Sequence, residues 1–269
     1  MSYWAAARRV MELSLGEMLW SRRTIFMALI VGGPVILAVI VRVMELFGLS
    51  ALRVGGRPVP GITIFSTIIW WLFLRFIITV LGIFYGTALM ADEVEDKTIT
   101  YLFTRPIPRG AVLVGKYLAY VLCTSLVVLP SVMLVYFLLV PFREIGTSFG
   151  QLLTDLGLLG LGLAAYGAVF AFVGAFFKRP LVIGLVFAFG WEQVAMVLPG
   201  YMKRFTIAYY LQALVPHAMP SEGVVSMLQA LFRDVPSAPV ALASLGAYVA
   251  IFLYLAARTV DRKEYVLEQ

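Results

Sequence analysis

Residues 90–116 read MADEVEDKTITYLFTRPIPRGAVLVGK, a short charged stretch held between two long apolar runs. The apolar runs cover residues 62–90 and 111–140, and each is long enough to cross about 30 Å of hydrocarbon as an α-helix. A polar connection of this length between two such helices predicts that the chain turns back at one membrane surface. The stretch therefore predicts two neighbouring membrane spans with a charged connection between them.

The composition excludes a soluble globular domain, since 62% of the 269 residues are hydrophobic, 13% are charged and the mean hydropathy is +0.95. Further runs of span length lie at residues 24–47, 156–177, 181–198 and 239–258. We expect an all-α membrane protein with six transmembrane helices in a single domain over residues 1–269. Residues 199–238 would form an outer loop with interfacial or partly re-entrant helices.

The distribution of Lys and Arg predicts the orientation in the membrane. With both termini in the cytoplasm, the inner side carries almost twice as many basic residues as the outer side, as the positive-inside rule requires. The net charge of +6 then reflects orientation and attraction to anionic membrane lipid, and no nucleic-acid-binding module is present. We expect a multi-pass protein of the inner (plasma) membrane.

Residues 1–23 have the pattern of a helix that lies in the cytoplasmic interface. Apolar residues such as Ala7 and Leu15 recur at helical spacing, while Arg8 and Glu12 fall on another face. Trp4 and Trp20 would anchor such a helix. The alternative is a solvated tail.

The segment 91–110 has two interpretations. The acidic residues 92–96 would begin a short helix, residues 98–103 would carry its apolar face, and Pro106 and Pro108 would end it. A short amphipathic helix with fixed charges at both ends would serve as a coupling helix to which a partner protein binds. A solvated re-entry loop is the other interpretation.

Gly110 and Gly115-Lys116 almost form the phosphate-binding pattern G-x-x-x-x-G-K-[ST]. Tyr117 stands where a Ser or Thr must bind magnesium, and a membrane span follows instead of a soluble α/β domain. We therefore expect no ATPase site and no bound cofactor in this chain.

Two ionisable residues fall inside predicted spans. Arg75 lies in the second span, where a lone charge costs roughly 2.5 to 3.5 kcal/mol, and Glu192 lies near the outer end of the fifth. Both would face a water-filled path or pair with each other. The alternative for Arg75 is a structural role or a side chain that reaches to the interface.

A strip of small residues follows one face of the fourth span, and such strips let helices approach closely in lipid. It would pack within the chain or against a second permease. Its members are Gly157, Gly160, Ala164, Gly167, Ala171 and Gly174.

No catalytic or metal site is predicted. Cys123, the only cysteine, lies in an apolar span and reads as a packed core residue, and His217 lacks neighbouring ligands at metal spacing.

The charged stretch resembles the segment between the second and third spans of type-2 ABC transporter permeases. The resemblance rests on Glu93, Thr98, the turn Thr104-Arg105-Pro106-Ile107-Pro108-Arg109 and Gly115-Lys116, together with the six-span layout, the leader and the outer loop. Lys97 stands where the family usually has Gly.

The resemblance implies a permease subunit of an ATP-driven transporter of the export class, with an unidentified substrate. A separate ABC ATPase would bind ATP and magnesium, and two copies would serve a homodimer or heterodimer of permeases. The positions that it assigns to coupling with the ATPase are Glu93, Thr98, Pro106, Arg109 and Lys116.

Two other function classes stay open from the residues. A secondary transporter would need internal repeats or helix breaks at the membrane midplane, and no convincing repeat relates the two sets of three spans. A membrane anchor or mechanical transducer that moves no cargo would use the same charged loop. Dependence of cargo movement on ATP hydrolysis by a partner separates the three classes.

Overall fold

The computed structural model describes residues 3–48, 53–54, 57–95, 108–197, 201–216 and 236–262. Most of these residues are helical, and one short antiparallel pairing joins Arg53–Val54 (β1) to Arg57–Pro58 (β2). A 3-10 turn covers Tyr201–Phe205. The helices, numbered in chain order, are α1 (Tyr3–Leu19), α2 (Arg22–Leu46), α3 (residues 61–95), α4 (Arg109–Leu139), α5 (Ile145–Phe176), α6 (residues 180–197), α7 (Ile207–Leu214) and α8 (Ala238–Arg262).

Within these ranges, five helices are long and apolar enough to cross a membrane: α2, α3, α4, α5 and α8. Helix α6 is apolar but shorter, with its apolar part at Pro180–Ala195. The chain is thus a helical, multi-pass membrane protein, as its hydropathy predicts. A sixth crossing, which would fall on α6, stays a prediction.

Proline and glycine explain several helix boundaries. Pro108 precedes the first turn of α4, and Pro180 is the first residue of α6, a position where the missing N–H costs no helical hydrogen bond. Gly48 follows the end of α2 with a φ of 72°, a conformation that favours glycine. Pro34 and Pro130 lie inside α2 and α4, as membrane helices tolerate.

Two helices contain wide π-helical turns that the sequence pattern did not predict. They occupy Ile69–Ile77 and Gly82–Gly86 in α3 and Val186–Trp191 in α6. Such turns hydrogen-bond to the fifth residue along the chain and are frequent at functional sites.

Helix α5 lies at the centre of the bundle and packs against α3, α4 and α8. Large aromatic side chains fill the core around it, including Tyr120, Tyr166 and Phe170, all fully buried. A Cβ on Gly82 would lie 2.8 Å from the Cβ of Tyr166, so the absence of a side chain there lets α3 approach α5 closely.

Helix α3 extends beyond the end of the predicted second span, residues 62–90. Asp92, Glu93 and Glu95 were expected to begin a new helix, but they continue α3, which runs without a break to Glu95. The reason is local, because no Gly or Pro interrupts residues 87–95 and most of them are good helix formers. The expected coupling helix falls on residues 96–107, which lie outside the described ranges.

The predicted outer loop, residues 199–238, contains a helix that packs into the bundle. Ile207, Tyr209 and Leu211 of α7 are buried, and a Cβ on Gly162 of α5 would lie 3.3 Å from Leu211 Cδ1. Residues 217–235, which include His217, lie outside the described ranges.

Candidate functional site

Three helices meet at the first turn of α4, directly after residues 96–107. The backbone N–H of Gly110 donates a hydrogen bond of 3.0 Å to Asp261 Oδ1 near the end of α8. A Cβ on Gly110 would lie 3.3 Å from Tyr3 Oη of α1 and 3.4 Å from Ala257 Cβ of α8. The start of α4 is therefore held between α1 and α8.

The charges at this junction are favourable. Asp261 places a carboxylate at the positive end of the α4 dipole, where it also satisfies an N–H that has no partner within the helix. Burial, and secondarily the neighbouring Asp261, raises the pKa of the Tyr3 phenol above its ordinary value, so the phenol stays neutral near pH 7.

Helix α1 lies along the first two turns of α4. A Cβ on Gly115 would lie only 2.5 Å from the backbone oxygen of Ala7, so glycine at this position lets the two backbones approach. Ala6, Ala7 and Ala111 form a small buried cluster beside it. Sequence reasoning placed Gly115 in the coupling motif, and the structure gives it a packing role.

An apolar cluster joins the two ends of the charged stretch. Met90 of α3 and Leu113 of α4 are fully buried together with Ala175, Ala256 and Val260. The cluster links α3, α4, α5 and α8 just outside residues 96–107, so the described helices on both sides of the stretch are packed against one another.

The residues predicted to couple with an ATPase are placed in part. Arg109 and Lys116 lie on the first turns of α4, and both are half-buried. Glu93 lies in the last turns of α3, and Thr98 and Pro106 lie outside the described residues. Residues 110–116 are helical, so the near-match to a phosphate loop does not form a loop at all.

Glu192 of α6 is the centre of a buried polar cluster. Its side chain, 3% exposed, accepts a hydrogen bond of 2.5 Å at Oε2 from Tyr166 Oη and one of 3.2 Å at Oε1 from the backbone N–H of Ile207. Thr206 accepts a further bond of 3.4 Å from the Tyr209 N–H. The carboxylate thus ties α5 and α6 to the first turn of α7.

Arg75 lies beside this cluster, and its own partners differ from those of Glu192. Its Nη2 donates a hydrogen bond to Gln193 Oε1, and its guanidinium lies 5.4 Å from the ring centre of Trp71. Arg75 and Glu192 do not form the direct ion pair that was one of the expectations. Gln193 was missed from the sequence, and its position next to Glu192 was the only available signal.

The strip of small residues on α5 divides into two halves. Gly167 faces the ring of Tyr120, Gly174 faces the Thr87 backbone, and Ala171 is buried, so this half packs within the chain. Gly157 and Gly160 have no atom within 4 Å of an added Cβ. Ala164, half-buried between the halves, accepts a hydrogen bond of 2.9 Å from Tyr117 Oη at its backbone oxygen.

The remaining candidates carry no chemistry in the described ranges. Cys123 is free and fully buried, as expected of a packed residue. No group of three or more His, Cys, Asp or Glu side chains suitable for a metal ion occurs among the residues that the structure describes.

Comparison with known families finds a match over residues 72–265, which covers most of the chain from the middle of α3 onward. The matched family is described as ABC-2 family transporter protein. A comparison with curated proteins finds no match. Members of the matched family are membrane subunits that work with a separate ABC ATPase. Because this match covers most of the chain, the chain belongs to the ABC-2 transporter permease family.

Proposed function

We propose that this chain is the permease subunit of an ATP-driven exporter whose ATPase binds beneath residues 90–116. ATP and magnesium bind to the ATPase and not to this chain. Two ATPase subunits serve two permeases, which are copies of this chain or of a relative. The substrate is unidentified.

The observation that carries the proposal is the packing on both sides of the charged stretch. Met90, at its start, shares a buried cluster with residues of α4, α5 and α8. Gly110, which follows residues 96–107, donates a backbone hydrogen bond to Asp261. Gly115 packs α1 against α4. A movement of the ends of α3 and α4 that flank residues 96–107 would therefore be passed by direct packing to α1, α5 and α8.

The proposal includes a topology. We place residues 96–107, α1 and both termini on the cytoplasmic side of the inner (plasma) membrane, with a coupling helix within residues 91–110. Helix α6 provides the sixth crossing. Helix α7, which belongs to the outer loop, packs beside it. Membrane lipid surrounds the bundle.

The polar residues inside the membrane receive separate roles. Glu192 holds α7 in place through its bonds to Tyr166 and Ile207. Arg75 lies only half-buried beside it, and its charge is partly compensated by Gln193 and the Trp71 ring. We assign Arg75 to the transport pathway.

The test is to purify the protein gently from its native membrane and identify any nucleotide-binding subunit that copurifies. The variants Arg109→Glu and Glu93→Lys reverse charges on opposite sides of residues 96–107. We expect an ATPase to copurify with the wild type and to be lost from both variants, because a coupling contact at this stretch depends on its fixed charges.

Arg143→Glu supplies the matched control. Arg143 is exposed in the connection between α4 and α5, on the predicted outer side, so its reversal should leave the complex intact. If no ATPase copurifies with the wild type, or if both variants at the stretch retain it, the proposed coupling site is wrong.

A further inference from the structure

A cavity of about 600 Å³ lies between α2, α3 and the turn that precedes α6. Its walls come from the first turn of α2, the last turns of α3 before residue 92, and the turn between α5 and α6. These are the helix ends on the predicted cytoplasmic side. The volume lies within the range of about 300 to 1,000 Å³ that is typical of small-molecule sites.

One part of the cavity is basic. Arg23 comes from α2, and Lys178 and Arg179 come from the exposed turn before α6. No Asp or Glu is among the described residues that line the cavity. The adjacent cations Lys178 and Arg179 repel each other in this exposed turn, and a bound anion shared by them reduces that repulsion.

The other part of the cavity is apolar. The rings of Phe26 and Phe84 lie with their centres 5.0 Å apart, and Val182 of α6 lines the cavity with 55% of its surface exposed. These side chains belong to predicted membrane spans, so the apolar part lies on the hydrocarbon side of the three cations. An inorganic anion would use the cations and leave this part empty.

A buried hydroxyl group completes the lining. Tyr85 is only 3% exposed, and its hydroxyl, although close to Thr24, meets no partner with hydrogen-bond geometry in the part of the chain that the structure describes. A buried hydroxyl without a partner is unfavourable, and a ligand oxygen is one way to satisfy it.

We propose that this cavity binds an anionic phospholipid of the cytoplasmic leaflet, with its phosphate at Lys178 and Arg179 and the start of an acyl chain against Phe26 and Phe84. The order of charged and apolar groups matches that of a lipid at a membrane surface. The lipid would contact α2, α3 and α6 together and thereby stabilise the turn between α5 and α6. The site goes beyond the proposed function and does not depend on it.

The experiment measures lipid binding to the full chain, with any subunit that copurifies, by native mass spectrometry. The probes are dioleoyl phosphatidylglycerol, dioleoyl phosphatidylcholine and inorganic phosphate, added separately to delipidated protein. We expect phosphatidylglycerol to bind most tightly. Removing both cations in the double variant Lys178→Ala, Arg179→Ala should weaken it about 30-fold, since each basic residue near a membrane surface contributes about 1 kcal/mol.

Matched variants separate the site from general surface charge. The double variant Arg258→Ala, Arg262→Ala removes two exposed cations from the same predicted side, outside the cavity, and should bind the lipid as the wild type does. The double variant Lys178→Arg, Arg179→Lys keeps both charges and should also retain binding. Val182→Trp fills the apolar part and should weaken lipid binding while both cations remain.

Three results would overturn the proposal. Equal affinity for the two lipids would remove the requirement for a negative headgroup. Unchanged binding in the Lys178→Ala, Arg179→Ala variant would place the lipid elsewhere. Inorganic phosphate that binds as tightly as phosphatidylglycerol would identify a simple anion site. Thermal unfolding of each variant establishes that it is folded, and the charge-retaining variant keeps the test decisive if charge removal prevents folding.

Discussion

Gly110 and Asp261, separated by 151 residues in the chain, are joined by a hydrogen bond of 3.0 Å from the Gly110 N–H to Asp261 Oδ1. The bond attaches the end of α8 to the first turn of α4, which follows residues 96–107. The C-terminal helix is thus part of the junction at which an ATPase would act, although nothing in the local sequence around Asp261 indicates it.

Replacing Asp261 tests this attachment. Asp261→Ala should lower the free energy of unfolding by about 1 kcal/mol or less, because it removes an acceptor from a helix N-terminus at a solvent-exposed position. Thermal unfolding in detergent measures the change. Asp261→Asn keeps an acceptor oxygen and should recover most of the loss, whereas equal loss in both variants would show that the charge alone matters.

Gly115→Ala tests the contact between α1 and α4. The added methyl group would meet the Ala7 backbone oxygen, so the variant should be destabilised by about 1 to 3 kcal/mol through forced separation of the helices. Limited proteolysis should then cut within α1 more readily. The control is Gly16→Ala in α1, where an added Cβ meets no atom within 4 Å, and it should leave α1 protected from the protease. Unchanged stability in Gly115→Ala would contradict the close approach of the two helices.

The two halves of the glycine strip on α5 should respond differently to substitution. Gly174→Ala would press a methyl group against the Thr87 backbone and should cost about 1 to 3 kcal/mol of stability. Gly160→Ala meets nothing and should be neutral or stabilising by up to about 1 kcal/mol, since alanine favours a helix over glycine. Unfolding midpoints compare the two, and equal destabilisation would refute the division.

A permease dimer that used the open half of the strip would be sensitive to bulk there. We expect the double variant Gly157→Leu, Gly160→Leu to keep its unfolding midpoint and to lose the dimer, because larger side chains prevent close approach of helices in lipid. Light scattering of the purified protein measures its mass. A dimer that persists would assign this surface to lipid contact instead.

Glu192 and Tyr166 should be energetically coupled. Tyr166→Phe and Glu192→Gln each remove part of the buried bond of 2.5 Å, and a double-mutant cycle should give a coupling of about 0.5 to 3 kcal/mol. Unfolding of the four proteins supplies the values. Ser148, which contacts the Tyr136 hydroxyl at 2.6 Å, lies elsewhere in the bundle, and Ser148→Ala should add to Tyr166→Phe without coupling.

The sequence was sufficient to predict the class of fold and most helix positions, because apolar runs of span length leave few alternatives in a membrane. The sequence did not predict the π-helical turns of α3 and α6, because a wide turn hardly changes the spacing of apolar residues. The partners of Arg75 and Gly110 also escaped prediction, because Gln193 and Asp261 lie far along the chain and carry no motif. The coupling role that the family resemblance implies for residues 90–116 stays a prediction, and the structure gives Gly115 a packing role between α1 and α4.

The wide turns of α3 and α6 have a mechanical consequence. Arg75 lies within one of them, and its partner Gln193 lies two residues after the end of another. A π turn is equivalent to one residue inserted into an α-helix, so its conversion to α geometry rotates the rest of the helix by about 100° and shifts it by about 1.5 Å. In α3 that rotation would carry Glu93 around the helix axis. At Arg75, therefore, part of α3 could rotate about its own axis and turn a different face to its neighbours without a tilt of the whole helix.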